Sequence, residues 1–226
     1  MQYGKIISGR FISRPNRFIA YVETADGIQK VHVKNTGRCR ELLLPGTKVY
    51  LEEGKTPKRK TLYDLIAVEK GSVLINMDAQ VPNKVFAEWV TNGNFSQDLI
   101  AVYPEYRYGA SRLDFCLETT HGLHFIEVKG VTLEEDGAAR FPDAPTERGI
   151  KHIQELQKAV EAGHQATLCF ILQFANAVSV SPNDVTHPAF GAALREAARC
   201  GVNVCAYDCH VTPESISVSK PVPVIL

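Results

Sequence analysis

The chain of 226 residues contains no apolar run approaching the roughly 18 residues of a membrane span. Its first residues, MQYGKIISGRF, lack the apolar core of a secretory leader. Both absences lead to the expectation of a cytoplasmic protein without membrane partners, whose six cysteines stay reduced. No G-x-S-x-G elbow is present, which argues against a serine hydrolase, and no glycine-rich phosphate loop is present either. Cys200, Cys205, Cys209 and His210 crowd together, but no C-x-x-C pair exists to give them zinc spacing. They read as core thiols. A helix-turn-helix signature, an internal repeat and a low-complexity tract are all missing.

There is also no excess of charge of either sign, with 25 Lys+Arg against 25 Asp+Glu. The balance hides an asymmetry. Residues 1–81 hold 14 basic against 8 acidic side chains, and residues 82–226 hold 11 against 17. A basic first part suits a polyanion, and an acidic second part suits a cation.

Residues 1–81 carry short strand signals at Lys5–Ile12, Phe18–Thr24, Gln29–Val33, Thr47–Glu52, Asp64–Glu69 and Val73–Asn76, with tight turns at Asp26-Gly27 and Glu53-Gly54. Cys39–Leu44 is the one stretch that suits a short helix. So many strands in so short a segment fit a small all-β barrel of the oligonucleotide-binding (OB) type. From residue 82 to 226 the texture becomes α/β: a helix over Lys84–Asn92, a strand over Ala101–Arg107 and a hairpin, then a polar loop over 130–145. A helix capped by Thr146 and closed by Gly163 follows, with a buried strand over Ala166–Phe174, a helix over Ala189–Cys200 and a strand over Val202–Tyr207. Residues 211–226 suit an edge strand or a tail.

The hairpin carries the chemistry. In SRLDFCLETTHGLHFIEVKG, a turn centred on Thr120-His121 sets Asp114 opposite Glu127, and opposed residues on antiparallel strands share a face. Lys129 lies two residues on, hence on that face too, with Arg112 opposite it. Leu113, Phe115, Leu117, Ile126 and Val128 fall on the other face as core. Two carboxylates that close repel, and a shared divalent cation relieves them; a half-solvated hairpin with charges facing water is the competing reading.

The order of helix, hairpin with Asp and Glu-x-Lys, then strand between helices resembles the PD-(D/E)xK nuclease core, with Leu113 where the motif has proline. The whole chain resembles the sugar fermentation stimulation protein (SfsA) family. Val33-Lys34-Asn35-Thr36-Gly37-Arg38-Cys39, Leu43-Leu44-Pro45-Gly46, Arg112-Leu113-Asp114-Phe115 and Glu127-Val128-Lys129 carry the likeness. So do Phe141-Pro142-Asp143-Ala144-Pro145-Thr146 with Arg148-Gly149, and His152-Ile153 with Glu155-Leu156. The resemblance implies an OB-like barrel over 1–81, a restriction-endonuclease-like α/β domain over 82–226 and non-specific DNA binding.

Under the nuclease reading, Asp114 and Glu127 bind Mg²⁺ or Mn²⁺ with the carbonyl of Val128 as a third ligand. Lys129 orients or deprotonates the attacking water, or stabilises the oxyanion. Glu88 is the candidate outer acid, against a plain role as a solvated helix residue. Arg148, Lys151, His152 and Glu155 share a helix face that borders the cleft or is simply salt-bridged. For DNA or RNA, Arg10, Arg14, Arg17, Phe18 and Tyr21 interleave cations with aromatic rings, and Lys55, Lys58, Arg59 and Lys60 form a basic loop. Arg38, with Arg40 beside it, and Arg112 complete the expected contacts. Two functions stay open: a metal-dependent nuclease, and a catalytically silent DNA-binding regulator linked to sugar metabolism. The residues leave the oligomeric state open, a homodimer included.

Overall fold

The computed structural model describes residues 1–35, 37–54 and 59–226. Six strands come first: β1 (Ile6–Asn16), β2 (Ile19–Thr24), β3 (Gly27–Val33), β4 (Lys48–Glu53), β5 (Tyr63–Lys70) and β6 (Val73–Asn76). The sheet runs β3-β2-β1-β4-β5-β6, and a parallel β3–β5 pairing closes the first five strands into a barrel. Closure removes exposed sheet edges. It also explains why β5 is buried from Tyr63 through Val68, with Val22, Val31, Val49 and Leu51 filling the interior beside Leu65.

Helix α1 (Val81–Thr91) then leads to β7 (Leu99–Tyr108), β8 (Ser111–Thr119) and β9 (Gly122–Val131). Next come β10 (Glu134–Glu135), β11 (Ala138–Phe141), α2 (Glu147–Glu161), β12 (Gln165–Leu172), β13 (Ser179–Pro182), α3 (Pro188–Arg199), β14 (Asn203–Val211) and β15 (Ile216–Pro221). The second six-stranded sheet is ordered β15-β14-β12-β9-β8-β7. Strands β9, β12 and β14 are parallel, which requires crossovers, and α2 and α3 supply them. Helix α1 packs Val85, Phe86 and Val90 with Phe115, Leu117, Ile126 and Val128 on one face of the sheet. On the opposite face α2 presents Ile153, Leu156 and Ala159, three to four residues apart, to Cys116, Phe125 and Leu168. Covering both faces makes β12 nearly all apolar, as in ATLCFIL.

Several expected elements are corrected. Cys39–Leu44 forms one turn, closed by the Leu43 amide on the Cys39 carbonyl at 3.0 Å, and not a helix; Cys39 itself is left-handed (φ 44°) and Pro45 follows. The loop over 130–145 holds β10 and β11, and β11 pairs in parallel with β13, a strand of only four residues. Helix α1 begins at Val81, because Pro82 suits a first turn. Residues 216–221 form an edge strand.

The barrel and the α/β sheet are joined by hydrogen bonds. Gln173 Nε2 donates to Asn76 Oδ1 (3.1 Å) and to the Asp78 carbonyl (3.0 Å), while the Asn76 amide donates to the Gln173 carbonyl (2.9 Å). Lys70 Nζ meets Glu134 Oε2 at 2.7 Å. A Cβ on Gly130 would come within 2.4 Å of Pro82 Cγ, so glycine lets β9 press against the start of α1.

Candidate functional site

The β8–β9 ladder runs Phe115↔Ile126, Cys116↔Phe125 and Leu117↔His124, the register that the Thr120-His121 turn requires. The backbone ladder stops at Asp114, whose side chain takes over: Oδ2 accepts from the Val128 amide at 2.8 Å. Oδ1 accepts from Asn83 Nδ2 of α1, also at 2.8 Å. Opposite Asp114 on β7, Glu105 is left-handed (φ 54°), so the strands kink here. The kink turns Leu113 away from Phe115 and into the cluster with Cys116 and Phe125, contrary to strict alternation.

Glu127 is 2% exposed. Its Oε1 receives Lys129 Nζ at 2.5 Å and His152 Nδ1 of α2. Arg148 Nε donates to His152 Nε2 at 3.3 Å, which assigns Nε2 as acceptor and leaves Nδ1–H as the donor toward Glu127. Oε2 of Glu127 is buried and, among the described residues, has no hydrogen-bond partner. Burial and then the neighbouring Glu127 charge push the Asp114 carboxyl above its ordinary value. Burial raises Glu127 as well, but the His152 hydrogen bond and Lys129 more than offset it and leave Glu127 below the ordinary range. Two acids thus share one site with opposite shifts.

A divalent cation fits this donor set. The orphaned Oε2 faces the cost of desolvation without a partner, and Asp114 is disfavoured as an anion by a like charge; a cation between them answers both. Among the described residues no group of three or more His, Cys, Asp or Glu side chains gathers as a cage. A pair of carboxylates matches Mg²⁺, which keeps several of its waters.

Other expected residues lie elsewhere. Glu88 is half-exposed and pairs with the Met1 ammonium at 2.6 Å; the α1 residue that reaches Asp114 is Asn83, one turn earlier. Arg112 is exposed and pairs with Glu105 at 2.8 Å, away from Lys129. The guanidinium of Arg14 donates to the carbonyls of Gly37, Arg38, Arg17 and Asn35 at 2.7–3.0 Å, pinning the loop after β3 and not facing solvent as a free cation. Arg10 donates to the Gly46 carbonyl at 3.0 Å, and Arg59 pairs with Asp64 at 2.9 Å. Phe18 and Tyr21 are exposed rings. The side chains of Arg17, Arg38, Arg40 and Lys60 are available, making no side-chain hydrogen bond or ion pair among the described residues. Lys55 and Lys58 lie outside the described residues.

The α2 face divides. Arg148 and Lys151 are exposed, whereas His152 and Glu155 are buried. His152 and Asn83 are the two site partners that the sequence reading did not assign to the carboxylates. The signal for His152 was its place beside Ile153 and Leu156 on the apolar face of α2. Asn83 carried no comparable signal.

A closed five-stranded barrel followed by a mixed α/β sheet defines an OB domain joined to a restriction-endonuclease-like domain. Family models agree on both parts: residues 12–77 match the SfsA N-terminal OB domain, and residues 80–215 match the sugar fermentation stimulation protein RE domain. The chain belongs to the sugar fermentation stimulation protein family. It is 55% identical over 227 residues to a homolog from Desulfitobacterium hafniense (100% of this chain, 99% of the relative). A homolog from Clostridium beijerinckii is 50% identical over 226 residues, with both chains fully covered. The solved structure of Pyrococcus furiosus SfsA in complex with Ca²⁺ is similar at a TM-score of 0.90 and 29% identity, covering 100% of this chain and 98% of that one. Among the described residues no helix is long and apolar enough to cross a membrane.

Proposed function

We propose that this protein binds nucleic acid without strong sequence preference and hydrolyses it with Mg²⁺ or Mn²⁺. One observation carries the reading: buried Glu127 presents an unpartnered Oε2 beside Asp114, with the Lys129 ammonium on the same carboxylate. A scaffold has no use for that arrangement, because like charges in a half-buried site cost stability. The Pyrococcus furiosus relative, described in complex with Ca²⁺, supports a divalent cation in this family.

Asp114 and Glu127 would hold the ion, with the Val128 carbonyl as a third oxygen. The ion would supply positive charge against the phosphoryl oxygens and acidify the attacking water. The rest falls to the chain. His152 fixes the Glu127 carboxylate by its Nδ1–H, so that Oε2 keeps one orientation. Asn83 and the Val128 amide do the same for Asp114. Lys129 stands against Glu127 with its remaining protons free to meet a phosphoryl oxygen or the entering water. Arg148 engages His152 through Nε alone, which leaves its terminal amino groups for a phosphate.

The test compares wild type with Asp114→Ala and Lys129→Ala on single- and double-stranded DNA and RNA, in Mg²⁺, Mn²⁺ or EDTA. Metal-dependent cleavage that both variants lose supports the nuclease. Binding with no cleavage in any metal transfers the protein to the silent DNA-binding class.

A further inference from the structure

Two cavities adjoin at the junction of the domains. The larger, about 690 Å³, is walled by the β1–β2 turn, including Arg14 and Arg17, and by the loop carrying Gly37, Arg38 and Arg40. The smaller, about 350 Å³, is walled by Pro82, Gly130, Arg140 and Thr146, among others. Gly37 and Ala144 line both, so together they form one trough from the barrel inward.

The Asp114 and Glu127 carboxylates do not line the trough, but its inner end is walled by chain neighbours of the proposed site. Pro82 precedes Asn83, Gly130 follows Lys129, and Thr146 caps the helix bearing Arg148 and His152. The outer end is basic. Arg17, Arg38 and Arg40 are exposed there and unpaired among the described residues, while Arg14 holds their loop in place. Asp143 is the one acidic side chain on either wall. The inner cavity lies at the small end of the range of about 300–1,000 Å³ that holds single small ligands, a size that suits one nucleotide unit. A cationic groove that narrows to this width tracks one backbone.

We propose that the trough is the path of a single strand of nucleic acid, gripped through its phosphates by Arg17, Arg38 and Arg40 and led past Ala144 to the carboxylates. The substrate class is therefore a single-stranded region or end. This rests on the nuclease reading for its chemistry, but the binding path stands on the walls alone.

Anisotropy of labelled single-stranded and duplex oligonucleotides in EDTA isolates binding from turnover. Wild type is expected to favour the single strand by at least about tenfold. An Arg17→Glu/Arg38→Glu double variant, altered at exposed positions only, should lose at least about tenfold and reduce the slope of log K against log salt by about 2. Ala144→Phe, which narrows the throat, should bind Mn²⁺ by calorimetry as wild type does while losing single-strand affinity. Wild-type affinity in both trough variants, or a wild type that prefers duplex, would overturn the path even if Asp114→Ala abolishes cleavage. Conversely, trough variants that lose binding while no metal supports cleavage would uphold the path and sink the nuclease.

Discussion

Replacing Asp114 by asparagine should make the metal-free protein more stable. The ladder ends at Phe115, but the Glu127 charge still acts on the Asp114 carboxyl, and side chains on neighbouring strands stand about 5 Å apart. At an effective dielectric constant of about 20, two carboxylates at that separation repel by about 3 kcal/mol. Asparagine removes the charge but keeps the shape: its oxygen can accept from the Val128 amide, and its amide can meet Asn83 turned over. Losing the charge on those hydrogen bonds costs about 1 kcal/mol. The net gain of about 2 kcal/mol corresponds to a rise in Tm of about 4–8 °C for a chain of this size. The sign with pH follows from Asp114 lying above its ordinary value: the folded state holds its proton more tightly than the unfolded chain. The penalty is absent below the ordinary pKa of 3.8 and complete above the raised value, so the advantage of the variant is full at neutral pH and fades in acid. Thermal melts in EDTA measure it. Adding Mn²⁺ at about 100 times its Kd should raise wild type by about 2.7 kcal/mol and leave the variant unmoved. A variant that melts below wild type in EDTA, or gains as much from Mn²⁺, would refute the placement of two like charges in one cation site.

Three further outcomes are expected. His152→Ala should weaken Mn²⁺ binding about 10–100-fold by calorimetry, and His152→Asn, which keeps a donor toward Glu127, should recover part of it; equal loss in both would remove the positioning role. Arg14→Lys should lower stability by about 2–4 kcal/mol in urea titration although the charge is kept, because an ammonium cannot serve four carbonyls; unchanged stability would return Arg14 to the nucleic-acid surface. Burial pulls the His124 imidazole down to about 4, so the folded state resists protonation and about 3 kcal/mol of stability is lost as pH falls from 6.5 to 4. His124→Gln should flatten that limb of the pH–stability curve, and an unchanged slope would place the acid sensitivity elsewhere.

The parts of the fold legible in the sequence are those governed by local rules. Val73–Asn76 emerges at its expected bounds, Thr146 caps α2 through its hydroxyl on the Gly149 amide, and the β8–β9 register follows from one turn. The nearness of Asp114 to Glu127 was legible for the same reason, although the observed ladder ends at Phe115↔Ile126. What was hidden depends on elements distant in sequence. His152 reaches Glu127 across 25 positions, and its inward aim depends on how α2 crosses the sheet, which helical periodicity does not specify. The cation-aromatic pattern at Arg10–Tyr21 suits a nucleic-acid platform, yet two of its arginines serve carbonyls of a loop more than twenty residues away. Guanidinium groups suit both tasks, and only the folded chain distinguishes them.

The hydrogen-bonded seam at Gln173, Asn76 and Asp78 has a consequence for any proposed cleavage. Interdomain contacts made through a glutamine side chain and paired backbone groups resist hinge motion, unlike a bare linker. Under the proposed nuclease reading the barrel would act as a gauge: a strand seated on it would meet the carboxylates at a constant offset, and cutting should occur at a fixed number of nucleotides from the point of grip. Loosening the seam, as by Gln173→Ala, should broaden that distribution of fragment lengths before it slows the cut.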